Sequence, residues 1–241
     1  MSSVSLSVAI PTMNRWSFLK DSIPCYLSRP EVAEVVICDE NGDDIEQILK
    51  SSFGKNPKLK LFKNETRLGI YENKLKAMTL TTCDWIALFD SDNIFDDLWF
   101  DTISSTTLLT QTVYASADFK TIDSREESRG SVNTPCKKFS GLTIDAKSWN
   151  SIFERHGWNF LLNDGNWLVP RGTIKTLPTD VKSDSLMAAD AIFMLRRFIK
   201  GGYSVHYLPG LEYIHLVHDD SSWIKTSADS ERILTRTNWL I

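Results

Sequence analysis

Two short apolar runs restrict the fold of this chain more than anything else. Glu34-Val35-Val36-Ile37-Cys38 and Trp85-Ile86-Ala87-Leu88-Phe89 are short, and they do not alternate polar with apolar as a half-wetted strand would. The first is β-branched, the signature of a strand buried on both faces. Residues 5–10 and 59–62 read as two further strands. Between the four lie helical patterns over residues 17–28, with Pro24 a kink or early stop, and over 44–50 and 70–80. Strands that alternate with helices imply crossover connections, and hence an α/β domain with a mostly parallel sheet and helices on both faces.

In such sheets ligands bind beyond the carboxyl ends of the strands. That rule selects four exits: Pro11-Thr12-Met13-Asn14, Asp39-Glu40, Lys63-Asn64 and Asp90-Ser91-Asp92. Two of them are acidic. The second half is less regular. Residues 121–140 are polar and read as a mobile loop, 166–169 and 204–208 as strands, and 185–200 as an amphipathic helix closed by Gly201-Gly202. A terminal helix is expected over residues 222–239.

With 241 residues, the chain fits one large domain, and 42% hydrophobic content supplies a core without staples. A net charge of −4 argues against an extended nucleic-acid surface. Cys25, Cys38, Cys83 and Cys136 have neither metal-ligand nor redox spacing and read as small hydrophobes in a reducing compartment. No basic, apolar leader and no membrane-length apolar stretch is visible, so a cytoplasmic protein is expected.

Asp90 and Asp92, two residues apart at a buried strand's end, would repel each other and any phosphate. A hard divalent cation, Mn²⁺ or Mg²⁺, resolves the conflict by bridging carboxylate and diphosphate oxygens. The bland alternative is a helix N-cap before Phe95-Asp96-Asp97. Asp39 can accept a hydrogen bond from a base or ribose, or can simply serve the turn that follows it. Arg67 and Lys74 offer cations for a diphosphate, and Gly69 allows its backbone to approach.

Ser-Val-Ala-Ile-Pro-Thr-Met-Asn-Arg, the Asp39 strand, Arg67-Leu68-Gly69 and Trp-Ile-Ala-Leu-Phe-Asp-Ser-Asp-Asn resemble, in order and spacing, the family 2 glycosyltransferases of GT-A fold. The likeness is strongest over the first hundred residues and extends more weakly to about residue 223. It implies a GT-A domain over 1–223, with a nucleotide-binding half (1–115), an acceptor-binding half (116–223) and a helical segment (224–241) after it. It also implies transfer of a single sugar, with inversion, from a nucleoside-diphosphate sugar (commonly a UDP-sugar) to a hydroxyl of a glycan or glycoconjugate. Pro11, Thr12, Asn14, Arg15, Asp90 and Ser91 would line the nucleotide site, and Asp39 would meet the base. Lys74 stands where the family often has arginine. Asp92 would hold the metal, with Asp90 on it or on ribose, and with His218 or His215 as a further ligand.

Asp190, at the start of a helix that ends in Gly-Tyr, would be the base that takes the acceptor's proton, with Asp184 the competing candidate. The segment 165–171 resembles the acceptor side, where Trp167 would stack on a sugar, with Arg171 beside it, though core packing explains Trp167 equally well. The Gln-x-x-Arg-Trp segment of the processive synthases is missing, which favours single-sugar transfer. Two other readings stay open: a sugar nucleotidyltransferase, which would ordinarily carry a Gly-rich loop after the first strand, and a nucleotide-sugar-binding module without turnover.

Overall fold

Val35, Val36 and Ile37 are consecutive and all fully buried, so both faces of their strand are covered, as the β-branched run requires. The structure, a computed structural model, describes residues 4–124, 131–134 (backbone only), 139–157, 164–181 and 185–241. The first half runs β1 (Leu6–Thr12), α1 (Trp16–Ser28), β2 (Val32–Asp39), α2 (Asp43–Lys50), β3 (Leu59–Lys63), α3 (Ile70–Thr79), β4 (Trp85–Leu88) and α4 (Asp97–Ser105). The second half adds β5 (Thr112–Asp123), β6 (Ser131–Thr134), β7 (Thr143–Ile144), α5 (Trp149–His156), β8 (Trp167–Pro170), α6 (Asp190–Lys200), β9 (Ser204–Val217) and α7 (Ser222–Arg236).

One sheet holds all nine strands in the order β3-β2-β1-β4-β8-β5-β9-β7, with β6 paired to β5. β1 to β4 are parallel; β8 is antiparallel to both β4 and β5, and β9 is parallel to β5. β5 and β9 therefore point the same way as β1 to β4. Only β6, β7 and β8 are reversed. The register aligns Thr12 with Asp39 and Asp39 with Lys63, so three strand exits share one edge. β4 stops at Leu88, level with Ala9, and Phe89 donates its amide to the Ala9 carbonyl (3.0 Å), carrying the chain on to the same edge.

The reversed β8 is what brings the two halves together. Its first residue, Trp167, is level with Leu88, so the residues just before it lie beside the exit of β4. β9 ends on that edge too, and Ile94 and Ile214 exchange backbone hydrogen bonds at 3.0 and 2.9 Å that tie the chain after Asp92 to it.

Three expectations change. The polar stretch 121–140 is partly strand: residues 121–123 complete β5, and β6 pairs with Phe119–Ile122, while 125–130 and 135–138 lie outside the described residues. The helix expected from residue 185 begins only at Asp190, after a short 3₁₀ turn over Met187–Ala189. The strand expected to end at 208 runs on to Val217, because it keeps pairing with β5 past a bulge. The three described cysteines are unpaired, and Cys25 is exposed rather than buried; Cys136 lies outside the described residues. No helix among the described residues is long and apolar enough to cross a membrane.

Candidate active site

The cluster after Asp39 builds the floor of the edge. Asp39 is fully buried, and its oxygens accept from the amides of Asn41 (3.3 Å) and Ile45 (3.1 Å), so it is spent on the turn into α2 rather than presented to a base. Glu40 accepts from the amides of Leu68 and Gly69, both at 2.7 Å, and from Asn64 at 3.2 Å, pinning the loop that carries Arg67. Gly69, with φ of 90°, can make that turn into α3 without strain. Arg67 itself is exposed and makes no ion pair among the described residues. Asp44 reaches back to accept from the Thr12 hydroxyl (2.6 Å) and the Arg15 amide (2.8 Å), and its burial holds its pKa above the ordinary range.

The exit of β1 wraps around this floor. Pro11 is the last residue but one of β1, and Thr12 is buried beneath it. Asn14 takes a left-handed conformation (φ 56°) and accepts from Asn41 at 2.8 Å. Arg15 lies 3.5 Å from Asp92 and donates to the Asp220 carbonyl at 2.7 Å.

The two aspartates flanking Ser91 face different partners. Asp90 pairs with the Lys74 ammonium at 2.9 Å, and the same ammonium lies 3.0 Å from Asp190. Burial alone would lower the Lys74 pKa, but Asp190 and Asp90 outweigh it and raise it, so the ammonium stays charged. Burial raises the Asp190 pKa, with Lys74 opposing. Asp92 instead accepts from His218 Nε2 at 3.0 Å. Burial would raise its pKa, yet the bond from His218 and the charge of Arg15 prevail and lower it.

The sequence alone points both aspartates at a metal. Here Asp90 belongs to Lys74, and Asp92 and His218 form the pair. His215 is instead bonded to buried Asn93 at 3.1 Å. The N-cap role falls to Asp96, which accepts from the Trp99 amide at 3.3 Å. Among the described residues no group of three or more His, Cys, Asp or Glu side chains is arranged to hold a metal ion.

The acceptor assignments do not fit. Trp167 is 1% exposed and packs edge-on against Phe198, 5.6 Å away, so its face is not available to a sugar. Arg171 hydrogen-bonds the carbonyl and hydroxyl of Thr81, and its amide donates to Asp84 at 2.8 Å; it fastens the approach to β4. Asp184 lies outside the described residues.

The segment Asp164-Gly165-Asn166 has a role that the sequence does not announce. Asn166 accepts the Asp90 amide at 2.9 Å and donates to Asp164, which also accepts from the Tyr213 hydroxyl at 3.1 Å. A Cβ on Gly165 would stand 2.7 Å from the Lys74 ammonium. Polar residues directly before an apolar strand are the available signal, but only the reversal of β8 tells which edge they reach.

A shared edge of parallel strand exits, with carboxylates from both halves gathered around the buried Lys74 ammonium, defines a class: α/β proteins whose ligands bind beyond the carboxyl ends of their strands. The sequence profile of glycosyl transferase family 2 matches residues 7–163, and the chain belongs to that family. No curated protein sequence matches it.

Solved structures share its fold. S. aureus TarS 1-349 in complex with UDP-GlcNAc aligns at a TM-score of 0.63 and 15% identity, over 95% of this chain and 64% of that one. The same TarS fragment in complex with UDP gives 0.59 and 15%, over 96% and 64%. GalNAc-T7 with UDP, GalNAc and Mn²⁺ gives 0.62 and 15%, over 90% and 44%. The chain thus spans about two thirds of the TarS fragment and under half of GalNAc-T7. The fold is that of the GT-A glycosyltransferases.

Proposed function

We propose that this chain transfers one sugar from a nucleoside-diphosphate sugar, a UDP-sugar, to a hydroxyl of a glycan or glycoconjugate, inverting the anomeric centre. One observation carries the reading: Asp190, a hundred residues beyond Asp90 in sequence, shares with it the ammonium of Lys74. A carboxylate that can accept a proton is thereby held at the edge where the donor's diphosphate would lie. The UDP and UDP-sugar in the TarS structures, and the UDP in GalNAc-T7, support the donor class.

Asp190 takes the proton of the acceptor hydroxyl as its oxygen attacks the anomeric carbon from the face opposite the departing diphosphate. Burial raises the affinity of this carboxylate for a proton, which suits a base. Lys74 keeps the net charge between Asp90 and Asp190 low enough for a diphosphate to approach, and Arg15 adds a second cation at the rim.

Asp92 and His218 fit a divalent ion. A carboxylate oxygen and an imidazole nitrogen meet there at 3.0 Å, donor types that would hold such an ion. Mn²⁺ or Mg²⁺ bound there would neutralise charge on the leaving diphosphate. The remaining ligands would come from the donor and water.

The test begins with a thermal-shift screen of nucleotide sugars with and without Mn²⁺, followed by NMR of the product from the sugar that binds. Inversion is expected, and retention would exclude single displacement. Asp190→Asn should lower kcat by about 10²–10⁴-fold while leaving UDP binding intact; near-normal transfer would move the base elsewhere.

A further inference from the structure

Asp190 is the first residue of α6, and that helix starts without a side-chain cap: the residue before it is Ala189, which has no polar group to offer. The turn leading in is irregular. Met187 takes a left-handed backbone conformation (φ 46°), a strained one for a side chain of that size, and Ala189 donates to the Leu186 carbonyl at 2.8 Å. A base placed on an uncapped helix start behind a strained turn needs support from another element.

That support comes from α7. Ser230, fully buried on α7, accepts the Ala188 amide at 3.1 Å. Its hydroxyl also meets Thr226 Oγ1 at 3.0 Å, and Thr226 donates its own proton to the Ser222 carbonyl at 2.8 Å. Because the Thr226 proton is committed, Ser230 donates to Thr226, which leaves a Ser230 lone pair for the Ala188 amide. The relay thus runs from the first turn of α7 to the turn that delivers Asp190. The carbonyl two residues before Ser222, that of Asp220, is the one that holds Arg15.

We propose that Ser230 is a positioning residue for transfer: through the Ala188 amide it fixes the 3₁₀ turn, and through the turn it sets Asp190 against Lys74. The inference rests on the reading of Asp190 as the base. It assigns a mechanistic duty to the segment after residue 223, which the sequence alone marks only as an appended helix.

The test compares Ser230→Ala with Ser230→Cys, which keeps a weak acceptor at nearly the same volume. A misplacement of about 1 Å at a reacting group costs up to about a hundredfold, so Ser230→Ala should lower kcat by about tenfold or more. The donor KM should stay within about twofold, since none of the residues proposed for the nucleotide lies in this turn. Ser230→Cys should fall between Ser230→Ala and wild type. In a crystal structure of Ser230→Ala the Lys74–Asp190 separation should lengthen, and amide exchange at Ala188 should quicken.

A kcat equal to wild type for folded Ser230→Ala overturns the proposal, as does an unchanged ion pair in its crystal structure. Should Ser230→Ala fail to fold, Ser230→Cys carries both measurements. A wild-type protein that turns over no donor defeats the functional reading, yet the displacement of Asp190 still decides the positioning claim.

Discussion

Lys74 is a buried cation between two carboxylates, and its neighbourhood has no slack. Gly165 packs where any side chain would press on the ammonium, which lies 2.7 Å from the point a β-carbon would occupy. Gly165→Ala should therefore push Lys74 off Asp90 and Asp190 and lower kcat by about tenfold or more, with a fall of a few degrees in Tm. Steady-state kinetics and a thermal melt check this; wild-type values in both would show that the ammonium has room to move.

Asp164 is the residue with a pH signature. Burial pushes its carboxyl up to about 7, with bonds from Asn166 and Tyr213 opposing and the charge of Asp90 adding to the rise. Its second oxygen has no hydrogen-bond partner among the described residues, which is where a proton would sit. In the unfolded chain the same group titrates near about 3.9. The folded state therefore holds a proton that the unfolded state has released. The stability this contributes is complete below about pH 4 and is lost as pH rises through about 7. The change is on the order of 4 kcal/mol, and Asp164→Asn should flatten that part of the stability curve, measured by urea unfolding between pH 4 and pH 8.

At the scale of elements, patterns written in neighbouring residues are legible and pairings across the chain are not. β2 and β4 can be read because burial on both faces demands an unbroken apolar run, and their acidic exits follow from strand direction. β5 escapes such a reading, and α4 is foreseen only as the helix that an N-cap before Phe95-Asp96-Asp97 would start. In β5 the apolar residues Val113, Tyr114, Ala115 and Ala117 are interrupted by Ser116 and Asp118, both buried. β8 reads as a strand, but its reversal depends on which strands flank it, and nothing local encodes that. Hence Asp90, Lys74 and Asp190 can be named from the sequence, whereas the Asp164-Gly165-Asn166 backing cannot.

The same blindness misassigns Arg171. Its expected place is beside an acceptor, yet it binds Thr81 across the base of β4. Arg171→Ala should lower Tm by several degrees, from the loss of part-buried hydrogen bonds worth about 1–3 kcal/mol, while leaving the acceptor KM unchanged. An acceptor KM raised tenfold with Tm intact would restore the original assignment.

For the whole molecule, the corner at Asp92 is where the first half meets the last strand, since His218 follows β9 directly. Chelation should abolish transfer and Mn²⁺ should restore it. Asp92→Ala should remove Mn²⁺-supported UDP binding in calorimetry, and the metal assignment is wrong if that binding persists.

The reversed strand has a consequence for how this protein comes to exist on the ribosome. The four parallel strands can pair as soon as about a hundred residues have emerged, but β4 is then an open margin, because its partner β8 is made some eighty residues later. Until then its backbone groups lack their sheet neighbour and the Asp90 amide lacks Asn166. A nascent chain stopped before residue 164 would carry a nucleotide floor with a sticky flank and no catalytic corner. Asp190 and His218 are made later still, so the residues proposed for transfer come together only after β8 has sealed the sheet from its middle.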